Sequence, residues 1–245
     1  MQKTAREGLW GFGLLIMLGL ILSVYLVTST LQTIILKQGK ITVKGYAERK
    51  IDSNFTTWQG KLNVRSDTLT KAYEQLKQHL DGVKTYLNRQ GIDSKELSIS
   101  PIYTSILYKS DRNGHSTHEV EGYTLSCDLT ISSNQVERVT QVSEQVTELI
   151  QEGIELYSYK PQYFYTKIDE LKIDLLGEAA KDALARASQL ATNSGSQVGL
   201  LRSATQGVFQ ITPAYSTSIS DYGENDTSTI QKSIKAVVTM EYGIH

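Results

Sequence analysis

The stretch Trp58-Gln59-Gly60-Lys61-Leu62-Asn63-Val64-Arg65-Ser66-Asp67-Thr68-Leu69 changes its hydrophobic period part-way, and that change decides the fold class. Up to Arg65, Trp58, Gly60, Leu62 and Val64 alternate with Gln59, Lys61, Asn63 and Arg65, the period of a strand with one buried face. From Leu69 the period lengthens. Leu69, Tyr73, Leu76, Leu80, Val83 and Leu87 fall on one side of a helix. Asp67 is placed to cap that helix, and Gly91 to end it with Ile92 packing behind.

Working outward, the alternation of strand and helix recurs. Ile41 to Glu48 reads as a strand. Ser98 to Tyr108 is a strand interrupted by Pro101, and Asn113-Gly114 reverses the chain. Tyr123, Leu125, Cys127, Leu129 and Ile131 then face one way, with Thr124, Ser126, Asp128 and Thr130 opposite, as in a half-buried antiparallel strand. Ser132 and Gln135 resemble a capping box opening a helix whose stripe is Val136, Val139, Val142, Val146 and Leu149, with Gly153 as its stop. Its β-branched valines make it dependent on packing. Tyr157 to Thr166 is an aromatic strand. The longest soluble helix runs from about Asp169 to Asn193, with Gly195 as its stop and Ala179, Ala183 and Ala187 along one side. Val198 to Ile211 and Ser233 to Tyr242 are the last strands, and the polar run Thr212 to Gln231 between them reads as a mobile loop. The expected order is ββαββαβαββ, an α+β domain with a mostly antiparallel sheet and three amphipathic helices.

The N-terminal region differs in kind. Gly8 to Leu36 contains no charged residue, and its centre from Leu9 to Val27 is almost wholly apolar. About 20 such residues suffice to cross a bilayer as a helix. Trp10 and Lys37 fit interfacial anchors. A cleavable signal peptide also begins with basic residues such as Lys3 and Arg6, but its apolar part is shorter and closes on a small-residue site that is missing here. The expected layout is a short cytoplasmic tail at 1–8, a transmembrane anchor at 9–36 and one α+β domain at 40–245. Lys3 and Arg6 on one side and Lys37, Lys40 and Lys44 on the other leave the orientation open on charge alone.

With 245 residues, charged content of 21% and a formal net charge of -1, the chain carries no field that would favour nucleic acid. Its single cysteine, Cys127, excludes an intrachain disulfide framework. No nucleophile elbow, phosphate loop or His-Glu-x-x-His motif occurs. His115 and His118, near Asp111 and Glu119 in a polar turn, lack the third ligand that a catalytic zinc site needs and read as a solvated loop. Cys127, on the apolar face of its strand, reads as a small buried hydrophobe. Glu170, Asp174 and Glu178 read as a solvated helix face. Tyr157, Tyr159, Tyr163 and Tyr165 share a parity, either packing on a sheet or forming a partner surface, with Pro161 interrupting the register. No catalytic, cofactor-binding or metal-binding residue is therefore assigned, and no cofactor is expected.

Three separated motifs resemble the SIMPL domain family. Ile41-Thr-Val-Lys-Gly-Tyr-Ala-Glu48 is similar to its opening strand. The helix end Leu87-Asn-Arg-Gln-Gly-Ile92 follows, and then the alanine-rich helix from Ala179 to Ala191, with Gly195 and Val198-Gly199 after it. The resemblance runs from about Ile41 to Tyr242. It implies an exported bacterial envelope domain, like the oxidative-stress-defence and periplasmic immunogenic proteins, some of which assemble into large rings. It implies no catalytic residues and no cofactor. Together with the anchor, it leads to an expected non-enzymatic, single-pass cytoplasmic-membrane protein with its domain in the periplasm or outside the cell. Its expected partners are the lipid bilayer, through the N-terminal helix, and further copies of itself in a homo-oligomer, with a possible part in envelope or oxidative stress tolerance. The alternative is an extracytoplasmic small-ligand-binding domain, or an enzyme with an unrecognised site.

Overall fold

The computed structural model describes residues 16–30 and 39–245. Residues 16–30 are helical (α1), and their apolar side chains are exposed, Met17 at 62% and Val24 at 63% among them. No helix among the described residues is long and apolar enough to cross a membrane. At 1.5 Å per residue this part of α1 covers about 22 Å, against about 30 Å of hydrocarbon. The remainder of the expected anchor at 9–36, and the tail at 1–8, lie outside the described residues.

The chain divides into two compact units. The larger takes Glu48–Ile173 and Val208–Lys235, and the other takes the described residues up to Ala47 with Asp174–Gly207 and Ala236–His245. Strands β1 (Lys40–Asp52) and β11 (Gln231–Ile244) and helix α4 (Ile168–Asn193) each contribute to both.

The larger unit is built on a six-stranded sheet, antiparallel at every pairing. Strand β2 (Phe55–Ser66) pairs with the long β5 (Ser116–Ser133) from Thr56↔Ser133 to Ser66↔Tyr123. Beyond β5 lie β3 (Leu97–Ile99) and β4 (Tyr103–Ser110), separated at Pro101 as that residue demands. Beyond β2 lie β6 (Leu156–Ser158) and β7 (Gln162–Phe164). The period-two reading holds at the core: Trp58 faces Ile131, Leu62 faces Cys127, and Val64 faces Leu125, all buried. Gly60 sits under the indole, where a Cβ would meet Trp58 Cη2 at 2.6 Å, so it makes room for the ring. Helices α2 (Leu69–Arg89) and α3 (Val136–Gln145) cover this core. In the same unit β9 (Gln210–Pro213) runs antiparallel to the start of β11, with the two-residue strand β10 (Glu224–Asn225) parallel beside it.

Several expectations are corrected. Thr68 rather than Asp67 caps α2, its Oγ1 accepting the Lys71 amide at 3.4 Å, while Asp67 pairs with Lys71 Nζ at 2.9 Å. The buried stripe of α2 is Ala72, Leu76, Val83 and Leu87. Leu69 in the first turn and Tyr73, about 60° round from Leu76 on a helical wheel, are exposed. No capping box opens α3. Ser132 and Ser133 are still paired with β2, and Ser133 Oγ makes the local bond, accepting the Gln135 amide at 3.0 Å. The expected second helix passes into a 3₁₀ turn at Val146–Glu152 before Gly153. The aromatic strand is two short ones split at Pro161, and Val198 to Ile211 is likewise two, split at Gly207. The glycine stops stand: Gly91, Gly153 and Gly195 have φ of +80°, +83° and +74°.

In the smaller unit, β8 (Val198–Gln206) runs antiparallel to the second half of β11, from Val238↔Gln206 to Ile244↔Val198. The first half of β1 lies on the other side of β11, where Ile244 donates to Gly39 O at 3.0 Å. Val43, Gly45 and Ala47 of β1 point inward and are buried. Ala179, Ala183 and Ala187 of α4 are 0% exposed. A Cβ on Gly45 would stand 2.0 Å from Ala179 O and 2.7 Å from Ala183 Cβ. The alanines are therefore required by backbone contact between helix and strand, and helix propensity alone does not account for them. Leu190, 54% exposed, takes no part in this seam.

Candidate functional site

The side chains singled out in the sequence do not converge. Among the described residues, no group of three or more His, Cys, Asp or Glu is placed to hold a metal ion. His115 stands 3.5 Å from Asp111 in the β4–β5 turn and is 79% exposed; His118 is exposed too. Replacing both with Ala is expected to change the unfolding free energy by about 0.5 kcal/mol or less, as urea unfolding would show. Cys127 is buried, and burial pushes its thiol up, away from the reactive thiolate. Glu170, Asp174 and Glu178 lie on the exposed side of α4. The four tyrosines share no face: Tyr163 is buried, with its hydroxyl 3.0 Å from Thr140 Oγ1, while Tyr157 and Tyr159 are more than half exposed.

Two features stand out instead, one in each unit. The first is the open edge of β8. It pairs with β11 on one side, has no other partner strand among the described residues, and is exposed on both faces from Leu200 to Gln206. Leu200 is 88% exposed. Gly207 donates to Val237 O at 2.9 Å, so strand alternation turns the amides of Gln206 and Ala204 to the free edge. The edge of β1 is treated differently: Tyr46 donates its amide to Asp182 Oδ2 of α4 at 2.8 Å. That bond first, then Arg186, holds the Asp182 carboxyl below its ordinary value.

The second feature is a cleft of about 570 Å³ in the larger unit. Its walls come from β7, the first turns of α4, and the segments around β9 and β10. Phe164, Phe209 and Tyr222 supply rings, Lys172 and Glu224 supply charge, and the Asp226–Lys232 pair lies at its base. The pair is deeply buried, with the side chains 2% (Lys232) and 8% (Asp226) exposed. Lys232 Nζ donates to Asp226 Oδ2 at 3.1 Å and to Asp226 O at 2.7 Å. Asp226 also accepts from the Ser228 amide at 3.0 Å, from Ser228 Oγ at 2.6 Å, and from the Thr229 amide and hydroxyl. Burial pushes the Asp226 carboxyl up, but the Ser228, Thr229 and Lys232 hydrogen bonds outweigh it and hold the group well below the usual carboxylate range. Burial pulls the Lys232 ammonium below its ordinary value, against the attraction of Asp226. The polar run expected as a mobile loop thus carries β9 residues at its start, β10, and this hydrogen-bonded knot.

Both features were missed in the sequence, though the cleft leaves two traces there. Lys232 shares parity with Ile234, Ala236 and Val238, the buried phase of β11, so a lysine there needs a partner. Asp226-Thr-Ser228-Thr229 has the spacing of an Asx turn.

Residues 41–242 match the SIMPL family, described as a protein of unknown function (DUF541). The chain belongs to the SIMPL family. No curated protein matches it. Among solved structures, the SIMPL chain is similar to an uncharacterized conserved protein from Listeria innocua, at 8% identity over 81% of this chain and 92% of that one, with a TM-score of 0.21. Likeness at that level carries no argument about function. Within this SIMPL domain the three motifs occupy β1, the end of α2, and the α4 seam with the start of β8, so two of the three meet at the Gly45 contact.

Proposed function

We propose that this SIMPL protein is a non-enzymatic module of the bacterial cell envelope, anchored by its N-terminal helix and associating with itself through β8. The observation that carries this reading is the outer edge of β8, which has no partner strand among the described residues and is exposed on both faces from Leu200 to Gln206. Such an edge offers a row of free amides and carbonyls to a strand from another copy. Proteins that stay monomeric protect such edges with charge, proline or a cover. Here only Arg202 contributes charge. The uncharged run around α1 supports the anchor, and the family resemblance supports an extracytoplasmic domain.

Proline at position 204 removes one outward amide and leaves the β11 ladder intact. In zwitterionic detergent the wild-type chain is expected to sediment as an oligomer, and Ala204→Pro and Leu200→Lys as smaller species with unchanged circular dichroism. A monomeric wild type, or variants of unaltered size, would refute pairing through β8. The topology has its own test. Cys127 is buried, so a Ser218→Cys variant places the reactive thiol in the exposed loop. An impermeant thiol reagent should label it in intact cells; labelling confined to lysed cells would put the domain on the cytoplasmic side.

A further inference from the structure

We propose that the cleft of the larger unit binds a neutral saccharide of one or two pyranose rings. On this reading Phe209 and Tyr222 lie against the ring faces, and Glu224 and Asn225 meet the hydroxyls. The proposal is independent of β8 pairing.

The volume of about 570 Å³ lies within the range of roughly 300–1,000 Å³ usual for small-ligand sites. Its charges balance, with Lys172 and Lys232 against Glu224 and Asp226. A phosphate or carboxylate ligand would need an excess of cations, and none is provided. A hydroxyl both donates and accepts, and the cleft offers both partners: a carboxylate at Glu224, an amide at Asn225 and an ammonium at Lys172. Lys232 adds to this, because Asp226 takes two of its three N–H donors. An acyl chain would bury these polar groups without satisfying them. The C–H faces of a sugar ring suit the aromatic walls, and its rim of hydroxyls suits the polar groups.

The backbone of the wall that carries Tyr222 and Glu224 is also fixed before any ligand arrives. Gly223, at φ +86°, makes the turn that carries Tyr222 and Glu224, and a Cβ there would press on Phe209 O at 3.0 Å. Asp226 fixes the other end of this segment through the hydrogen bond its amide donates to Ile211 O at 2.8 Å and the five accepted by its carboxylate. Tyr222 itself is 98% exposed, so its ring can be removed without disturbing the fold.

The test is calorimetric titration of the full chain in phosphatidylcholine nanodiscs with N,N′-diacetylchitobiose and with cellobiose. Saturable one-site binding of at least one is expected. Tyr222→Ala should weaken it about five- to tenfold, as for loss of one ring contact, and Glu224→Gln should also weaken it. Ala204→Pro should leave it unchanged, which separates this site from β8. Absence of saturable binding to either sugar would overturn the proposal, as would full affinity in both Tyr222→Ala and Glu224→Gln. Adenosine or decanoate binding where neither saccharide binds would assign the cleft to another class and overturn it equally.

Discussion

Lys232→Ala is expected to lower the unfolding free energy by about 3–5 kcal/mol, because it leaves Asp226 charged, buried and without its cation. The cost comes from the orphaned charge more than from the lost attraction. Asp226→Asn combined with Lys232→Met removes both charges, and should recover most of the loss. Urea unfolding of the full chain in nanodiscs, followed by tryptophan fluorescence, measures each variant. If Lys232→Ala unfolds like the wild type, the pair is not buried as described. The pH dependence follows from the same groups. Asp226 has a folded pKa depressed from 3.8, so its stabilisation is complete above the unfolded value and drains away as pH falls below it. Lys232 is also depressed from 10.5. Its burial therefore costs stability at neutral pH, and the cost fades as pH rises toward the unfolded value. The acid limb is therefore set by Asp226 and the alkaline gain by Lys232, and Asp226→Asn should flatten the acid limb.

Gly45→Ala is the second large effect. The added methyl would lie 2.0 Å from Ala179 O, and that oxygen belongs to a helix backbone that cannot rotate aside. The cost should reach about 3 kcal/mol, the upper end for overpacking. Ala183→Leu attacks the same contact from the helix side and should cost about 1–3 kcal/mol. Lys181→Leu, on the exposed side of α4, should stay within about 0.5 kcal/mol. Thermal melts of the three variants against the wild type should show losses that fall in that order. Equal stability of Ala183→Leu and Lys181→Leu would mean that the helix does not sit on β1 by its alanines.

The same seam shows what could be read from the sequence. Alanines four residues apart on one helix leave a smooth surface suited to close packing. The partner, Gly45, carries no such signal, since the contact joins residues more than 130 positions apart. The strands of the β2–β5 core were legible because one face is apolar and the other polar. Strands broken by Pro161 or Gly207 were read too long, since local alternation continues past a break in pairing. The cleft was hidden for a different reason. Its residues come from five separate segments, with Asp226 in a polar run and its partner Lys232 on β11. Exposure of β8 could not be read at all, because it depends on what lies beside the strand.

If β8 joins copies as proposed, the contrast between the two edges of the smaller unit limits how many. The Tyr46 amide on β1 is occupied by Asp182, whereas the outer edge of β8 has no partner among the described residues. When β8 of one copy meets β8 of another, both edges are consumed and a twofold rotation relates the two halves of the contact. Growth stops at two. A ring or a fibre requires each copy to present a second, different surface, so the number of chains in the assembly reports how many kinds of contact the protein makes.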